Sequence, residues 1–536
     1  MKTRYLYFSG LILLCLIFFL MVSGCMLSRS QKIDLTDLAP VVPADIQTFD
    51  FTLENKPDPQ PIPAGQKPDP ALSVEQAVML ALDHNQDLKT RQLGPVIAGA
   101  FEQMEKGQYD PELFAAMGMS RQALPDPESS DTAVSAVAGV RQALPSGTTL
   151  AAEAAHEQDR ASRTADPDQT RVTLSVTQAL LQGAGPAGGL VAIRQSELET
   201  RASIHELTAY AQALVAETEI AYWQYVLARQ EHAIVERSLA VSKKQRTDVQ
   251  HQIEVGVLPR NEQAAVQSEV ARREQALIDS ANQVEAFRLT LLHLINPGGP
   301  GYLDRLVLPA SDPAIDPAID PDPVADIQDR TSLAMTLRPD LAEARLRMHQ
   351  NQLETIATKN GLLPRLDFFM DLGFAAYGDG FSDAAQSLDN GDYEVSAGLS
   401  LSRFVKNRTA RARHQAAVAT RQQATEALEN LRRTIHLDVR LAVNEIERAR
   451  QQIHASKVTR RSEEQTVQAE IERFNVGAGT ALLVAQAQRD LLIGQIAEVR
   501  AVIHYRIALI RLFLAEGSLL HRRGVVLRHQ GQVMNK

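Results

Sequence analysis

The side chains best equipped for chemistry are three carboxylates. Asp367 and Asp371 stand in LDFFMDLGF, and Glu394 stands in YEVSAGLSL. Paired acids serve general acid–base catalysis when a defined pocket holds them against a substrate. No nucleophile–base pair accompanies them, and the metalloprotease helix motif and the phosphate-binding glycine loop are absent. GAGPAGG (Gly183 to Gly189) has the glycines of a nucleotide loop, but no lysine–serine pair closes it. It reads as a strand-to-helix hinge. The chain has two cysteines, Cys15 and Cys25, both near the N-terminus, which excludes a disulfide framework and a cysteine-based metal site. Histidines such as His232 and His251 are scattered and read as surface or seam residues. No catalytic residue, metal or cofactor is assigned, and the chain is not expected to be an enzyme.

The elements that carry the acids are strands of a particular pattern. LDFFMDLGF places Leu366, Phe368, Met370, Leu372 and Phe374 on one face, with Asp367, Asp371 and Gly373 opposite. YEVSAGLSL sets Tyr393, Val395, Ala397, Leu399 and Leu401 against Glu394, Ser396, Gly398 and Ser400. VTLSVTQ alternates in the same way. Such stretches of about ten residues suit a transmembrane β-barrel with a wet lumen, which Asp367, Asp371 and Glu394 would line. A half-buried sheet in a soluble domain has the same alternation, so other features must decide.

Around the strands the composition is helical. Aromatics are 5% of 536 residues, with one tryptophan, Trp223, and the net charge of -10 comes from interspersed charges of both signs. No basic stripe for nucleic acid is present. Leu428, Leu431, Ile435, Val439, Ala442, Ile446, Ala449 and Ile453 follow steps of three and four, as do Leu207, Ala211, Leu214, Thr218, Ala221, Tyr225 and Ala228. From Arg403 to Phe474 such a helix would extend ~100 Å at 1.5 Å per residue, far beyond a globular domain.

The chain is a tandem duplication. HNQDLKTRQLG…GQYDPEL (His84 to Leu113) matches LRPDLAEARLR…NGLLPRL (Leu337 to Leu366), with Asp87 against Asp340 and Pro111 against Pro364, an offset of 253. IEVGVLPRNEQAAVQ (Ile253 to Gln267) matches FNVGAGTALLVAQAQ (Phe474 to Gln488), with Gly256 against Gly477, an offset of 221. The repeats span 73–297 and 331–516, joined by a Pro/Asp-rich linker at 298–330 and followed by a tail at 517–536.

At the N-terminus, Lys2 and Arg4 precede an apolar run from Leu6 to Val22, the layout of an export signal. VSGC (Val22 to Cys25) resembles the lipobox of bacterial lipoproteins, which implies a signal peptide at 1–24 and lipid on Cys25. Met26, rather than an aspartate, follows the cysteine; by resemblance to lipoprotein sorting this implies the outer membrane. Residues 25–72, rich in proline and aspartate, read as an extended tether.

Over its mature length the chain resembles the TolC-like outer-membrane efflux proteins, in their lipid-anchored branch. RPDL (Arg338 to Leu341), LLPRL (Leu362 to Leu366), RFNVGAGT (Arg473 to Thr480) and HQIEVGV (His251 to Val257) carry the match, in order and twice over. The resemblance implies an α+β membrane protein in which long coiled-coil helices form a periplasmic α-barrel continuous with a transmembrane β-barrel. It implies a homotrimer, a periplasmic adaptor (membrane fusion) protein, an inner-membrane transporter and outer-membrane lipid as partners, and no nucleic acid. The expected function is a passive exit duct of a tripartite efflux or type I secretion system; a lipid-anchored coiled-coil adaptor or scaffold is the alternative. The periplasmic tip and gate would fall at Gly256, Pro259, Arg260, Glu262, Asn475, Gly477, Gly479 and Thr480. An aspartate that the family carries past the second-half glycines is replaced here by Leu483, with Gln486 nearby.

One departure concerns strand number. RQALP occurs at Arg121–Pro125 and again at Arg141–Pro145, in the region where the first half is longer by 32 residues (253 − 221). Four strands fit there, LFAAMGMSRQALP, TAVSAVAGVRQALP, TLAAEAAHEQ and RVTLSVTQALL, with Pro125 and Pro145 stopping two of them. With two strands from the second half, a trimer would hold 18 rather than 12. An extramembrane hairpin on a 12-stranded barrel is the rival, favoured by Glu153 and Glu157.

Overall fold

The computed structural model describes residues 49–53, 71–123, 130–160, 168–296, 301–311, 327–378 and 392–529. The signal sequence, Cys25 and Pro125 lie outside the described residues. The first half runs β1 (Phe49–Leu53), β2 (Ala71–Leu72), α1 (Val74–His84), α2 (Gln86–Gly107), then β3 (Glu112–Ala123), β4 (Ser130–Ala143), β5 (Thr148–Arg160) and β6 (Asp168–Ala179). It continues with α3 (Pro186–Gly189), α4 (Val191–Glu254), α5 (Glu262–Ile295) and β7 (Leu308–Pro309). The second half has α6 (Ile327–Leu337), α7 (Pro339–Asn360), β8 (Arg365–Gly378), β9 (Asp392–Ser402), α8 (Arg408–Asn475), α9 (Ala481–Ala515), α10 (Leu519–Arg522) and β10 (Val525–His529).

The duplication is visible element by element. The pairs α1 and α6, of 11 residues each, and α2 and α7, of 22 each, begin 253 positions apart (74 and 327, 86 and 339). Strands β3 and β8 begin at the same spacing (112 and 365) and each follows a proline, Pro111 or Pro364. The surplus in the first half is the β4–β5 pair with its turn.

Two compact units divide the chain. One comprises Ile97–Thr200 and Leu346–Glu426; the other comprises Asp45–Val96, Arg201–Arg345 and Ala427–Lys536. The first unit is built on one antiparallel sheet of six strands in the order β3-β4-β5-β6-β8-β9.

The second unit holds the main apolar core. Residues from α1, α2, α4, α5, α9 and α10 gather there, among them Leu88, Leu207, Tyr222, Leu292, Ile503 and Leu519. The heptad positions behave as their spacing requires: Leu207 through Ala228 are buried at every seam position, and Ile435, Val439, Ile446 and Ala449 are buried on α8. Ile446 and Ala449 pack on Tyr505, Ala508 and Leu512 of α9.

Three boundaries differ from the sequence reading. The stretch taken as a tether contributes β1, and the stretch taken as a tail contributes α10 and β10, which pairs antiparallel with β1. The linker contributes β7, which pairs parallel with β2, and α6 begins within it at Ile327. FDFTL and VVLRH are short segments whose backbone groups find partners only across the length of the chain, a pairing that local composition does not record.

Candidate functional site

Two regions carry the residues singled out above: the six-stranded sheet and the turns between the long helices.

In the sheet, the period of two along each strand combines with the register to line up polar and apolar residues in alternate rows through its middle. Glu112, Arg141, Ala151, Ser175, Asp371 and Ser396 form one row through all six strands. The next row, on the opposite face, is Leu113, Val140, Ala152, Leu174, Leu372 and Val395. Asp367, Asp371 and Glu394 share the polar face, as do Glu153 and Glu157. Their partners are basic or hydroxyl groups. Arg365 donates to Asp367 at 2.6 Å, Ser396 donates to Asp371 at 3.2 Å, and Arg171 lies 3.4 Å from Glu394. Arg141 meets Glu112 at 2.7 Å. The acids are spread along a wall, with no nucleophile or convergent pocket between them, so the arrangement suits solvation and ion contact rather than bond making.

Two phenylalanines on the polar face lie against glycines of the neighbouring strand. A methyl group at Gly139 would meet the Phe114 ring at 2.7 Å, and one at Gly398 would meet the Phe369 ring at 2.6 Å. Each ring thus covers the backbone that the glycine leaves bare, holding the register on a face that is otherwise polar.

The glycine segment read as a hinge does more than bend. The β4–β5 turn, Leu144 to Gly147, sits against it. Gly185 N–H donates to Ser146 O at 2.9 Å, and Ala179 N–H donates to Gly147 O at 2.9 Å. Gly147 and Gly189 leave no room for a side chain: a Cβ would lie 2.3 Å from Gly183 O and from Pro145 O respectively. Gly147 and Gly183 also have positive φ. Tyr109 donates to Gly189 O and accepts, through its own carbonyl, from Gln142. The second RQALP therefore ends β4 at this seat, with Pro145 in the turn; the first ends β3, where Arg121 pairs with Thr132 at the opposite end of the hairpin.

In the second unit, the two helical turns are copies of one geometry. Gly256 N–H donates to Ile253 O and Val257 N–H to Gln252 O; Gly477 N–H donates to Phe474 O and Ala478 N–H to Arg473 O. Both are Schellman caps with glycine at φ +79 and +75. Neither glycine has an atom within 4 Å of where a Cβ would stand. The turns pack together through Val249, Val266 and Ala481, with Ile253, Leu258 and Phe474 around them. Glu262 accepts from Ala481 N–H at 2.9 Å, and the Thr480 hydroxyl accepts from Leu483 N–H at 3.4 Å. Both groups satisfy orphan donors at the start of α9. Pro259, Arg260 and Asn475 are exposed, and Gly479 is half-buried. Leu483 and Gln486 are exposed as well, and Glu262, the nearest acid on the first turn, is engaged in the cap.

Of the histidines, His251 is exposed and His232 bonds Ser280 at 2.9 Å. No group of residues suited to hold a metal occurs among the described residues. Buried carboxylates held by arginines, which sequence reasoning missed, tie the second unit together: Glu219 with Arg523 at 2.6 Å, Glu231 with Arg500 at 2.6 Å, and Glu516 with Arg330. Burial raises the Glu219 pKa, against the lowering effect of Arg523.

Residues 331–518 match the family described as outer membrane efflux protein. Comparison with curated protein sequences gave no match. The fold is similar to that of the outer-membrane channel OprN, with a TM-score of 0.63 at 18% identity over 83% of this chain and 90% of the other. The CmeC outer membrane channel of Campylobacter jejuni gives 0.61 at 15% over 83% and 86%. The open state of the Neisseria gonorrhoeae MtrE outer membrane channel gives 0.59 at 17% over 88% and 98%. The second repeat thus matches the outer membrane efflux protein family, and the chain as a whole shares the fold of these outer-membrane channels.

Proposed function

We propose that three copies of this chain form an outer-membrane exit duct that conducts substrates passively from the periplasm to the exterior. The two-faced sheet carries this reading. One face is apolar from Leu366 to Phe374 of β8 and from Tyr393 to Leu401 of β9, about the nine to eleven residues a tilted strand needs to cross a bilayer. The other face bears Asp367, Asp371 and Glu394, which would line the lumen. No helix among the described residues is long and apolar enough to cross a membrane.

The helical turns supply the periplasmic end. Val255, Val257, Val476, Leu482 and Leu483 are all exposed there. Apolar side chains left in water at a tip suit a docking surface, and a periplasmic adaptor would cover them. An inner-membrane transporter would supply the energy, and the lipid on Cys25 would anchor the N-terminus in the outer membrane. Gating would be a loosening of the packed turns at Gly256, Pro259, Arg260 and Glu262 against Asn475, Gly477, Gly479 and Thr480.

Planar-bilayer recording of the purified protein tests the proposal. Discrete conductance steps are expected, with longer openings when the Glu262 cap is removed. Absence of any pore in wild type and in tip-loosening variants would refute it.

A further inference from the structure

We propose that the β4–β5 hairpin is part of the membrane wall, so that three chains close, β9 of one against β3 of the next, into an 18-stranded barrel. This rests on the trimeric channel proposed above. Four strands per copy would give twelve; this sheet has six among the described residues. Since barrel diameter grows roughly in proportion to strand number, the membrane pore would be about half as wide again.

Three observations place the hairpin in the wall. First, the rows do not step at the insert. The polar row through Glu112 and Asp371 and the apolar row through Leu113 and Leu372 pass through β4 and β5 without a break. A hairpin projecting beyond the membrane would share only its base with β6. Second, Glu153 and Glu157, the charges that favour a hairpin in water, fall on the polar face with Asp371, and Ala138, Ala152 and Ala154 fall on the apolar face. Third, the β4–β5 turn is seated in the glycine segment after β6, with Gly185 donating to Ser146 and Gly147 accepting from Ala179. That seat is made for this turn, because a Cβ on Gly147 or Gly189 would strike backbone oxygen at 2.3 Å. It sets the lower end of the hairpin level with the lower ends of its neighbours.

The edges identify a second copy as the occupant. All five strand pairings are antiparallel, so an even count leaves β9 and β3 running in opposite directions, as an antiparallel closure between copies requires. Both edges are of matching length, 12 and 11 residues, and neither contains a proline or lysine that would blunt it. Large apolar side chains stand exposed on the same face of each, Leu113, Met117 and Met119 on β3 and Tyr393, Leu399 and Leu401 on β9. An unprotected edge of this kind is a ready template for pairing with another chain.

Cysteine scanning of the full chain in outer membranes tests the inference, since the native cysteines are confined to positions 15 and 25. Ala151→Cys and Ala155→Cys, on the polar face of β5, should react with a water-soluble maleimide. Ala138→Cys and Ala154→Cys, on the apolar face, should resist it and react with a membrane-partitioning maleimide. Water-soluble labelling of all four would overturn the assignment and leave a twelve-stranded wall. Ser396→Cys and Ala397→Cys on β9 serve as the reference pair; if these do not divide in the same way, the channel reading itself fails. For closure, Ala115→Cys on β3 combined with Val395→Cys or Ala397→Cys on β9 should give oxidised dimers and trimers in denaturing gels. Trimers that sediment intact yet never cross-link at any such pair would refute the β9-to-β3 seam, whereas absence of trimers would refute the parent proposal.

Discussion

The Glu262 carboxylate accepts a hydrogen bond from the backbone N–H of Ala481, 2.9 Å away and 219 positions further along the chain. It joins the turn of the first repeat to the first residue of α9 in the second. A carboxylate at a helix N-terminus satisfies an orphan donor and also meets the positive end of the helix dipole. Glu262→Ala should therefore weaken the packed turns by about 1 kcal/mol, the usual cost of a lost N-cap. Single-channel recording should show a higher open probability, and Glu262→Gln, which keeps an acceptor but not the charge, should fall between.

Arg523→Ala should cost about 3–5 kcal/mol, because it strands the Glu219 carboxylate in the core of the second unit. Glu219 already has a raised pKa through burial. A carboxyl raised in the folded state contributes its stability below the unfolded pKa and loses it as pH rises through the folded value. The defect should therefore shrink on acidification toward the carboxylate range. Thermal unfolding in detergent across pH checks this, and Arg523→Ala with Glu219→Gln should recover much of the loss.

His504 titrates below its ordinary value, first through burial and then through Arg448 and Arg500. With the folded pKa depressed, its contribution is present above the unfolded value near 6.5 and is lost as pH falls through the folded one. His504→Gln should flatten the decline of the melting temperature between about pH 6.5 and 5, a window set by that model-peptide value.

Gly147→Ala and Gly256→Ala compare two glycines of similar φ, +81 and +79. Both substitutions carry the left-handed penalty of roughly 1–2 kcal/mol. Only Gly147 also has a backbone oxygen in the way, so its variant should be the more destabilised in urea unfolding of the refolded protein. Equal effects would mean that the turn is not seated on the glycine segment.

Much of this protein can be read from the order of its residues. The seam positions from Leu207 to Ala228, and Ile435, Val439, Ile446 and Ala449, are buried because a helix brings every third and fourth residue to one side, whatever lies opposite. The alternation in β8 and β9 placed Asp367, Asp371 and Glu394 together because a strand reverses its side chains at each step. The glycines of the two turns were recognisable because a Schellman cap needs a residue at positive φ.

What tertiary structure alone decided is which of these local pieces meet. No periodicity relates Glu262 to Ala481, Glu219 to Arg523, or β1 to β10. Those pairings depend on how the long helices and the chain ends are brought side by side, and a residue's own neighbours carry no record of them. The same holds for GAGPAGG and the second RQALP. Each was legible as a break in regular structure, but that one is the seat of the other became visible only with Gly147 and Gly189 lying against backbone oxygens. Local backbone preference is written in short spans of sequence; contact between distant spans is a property of the packed whole.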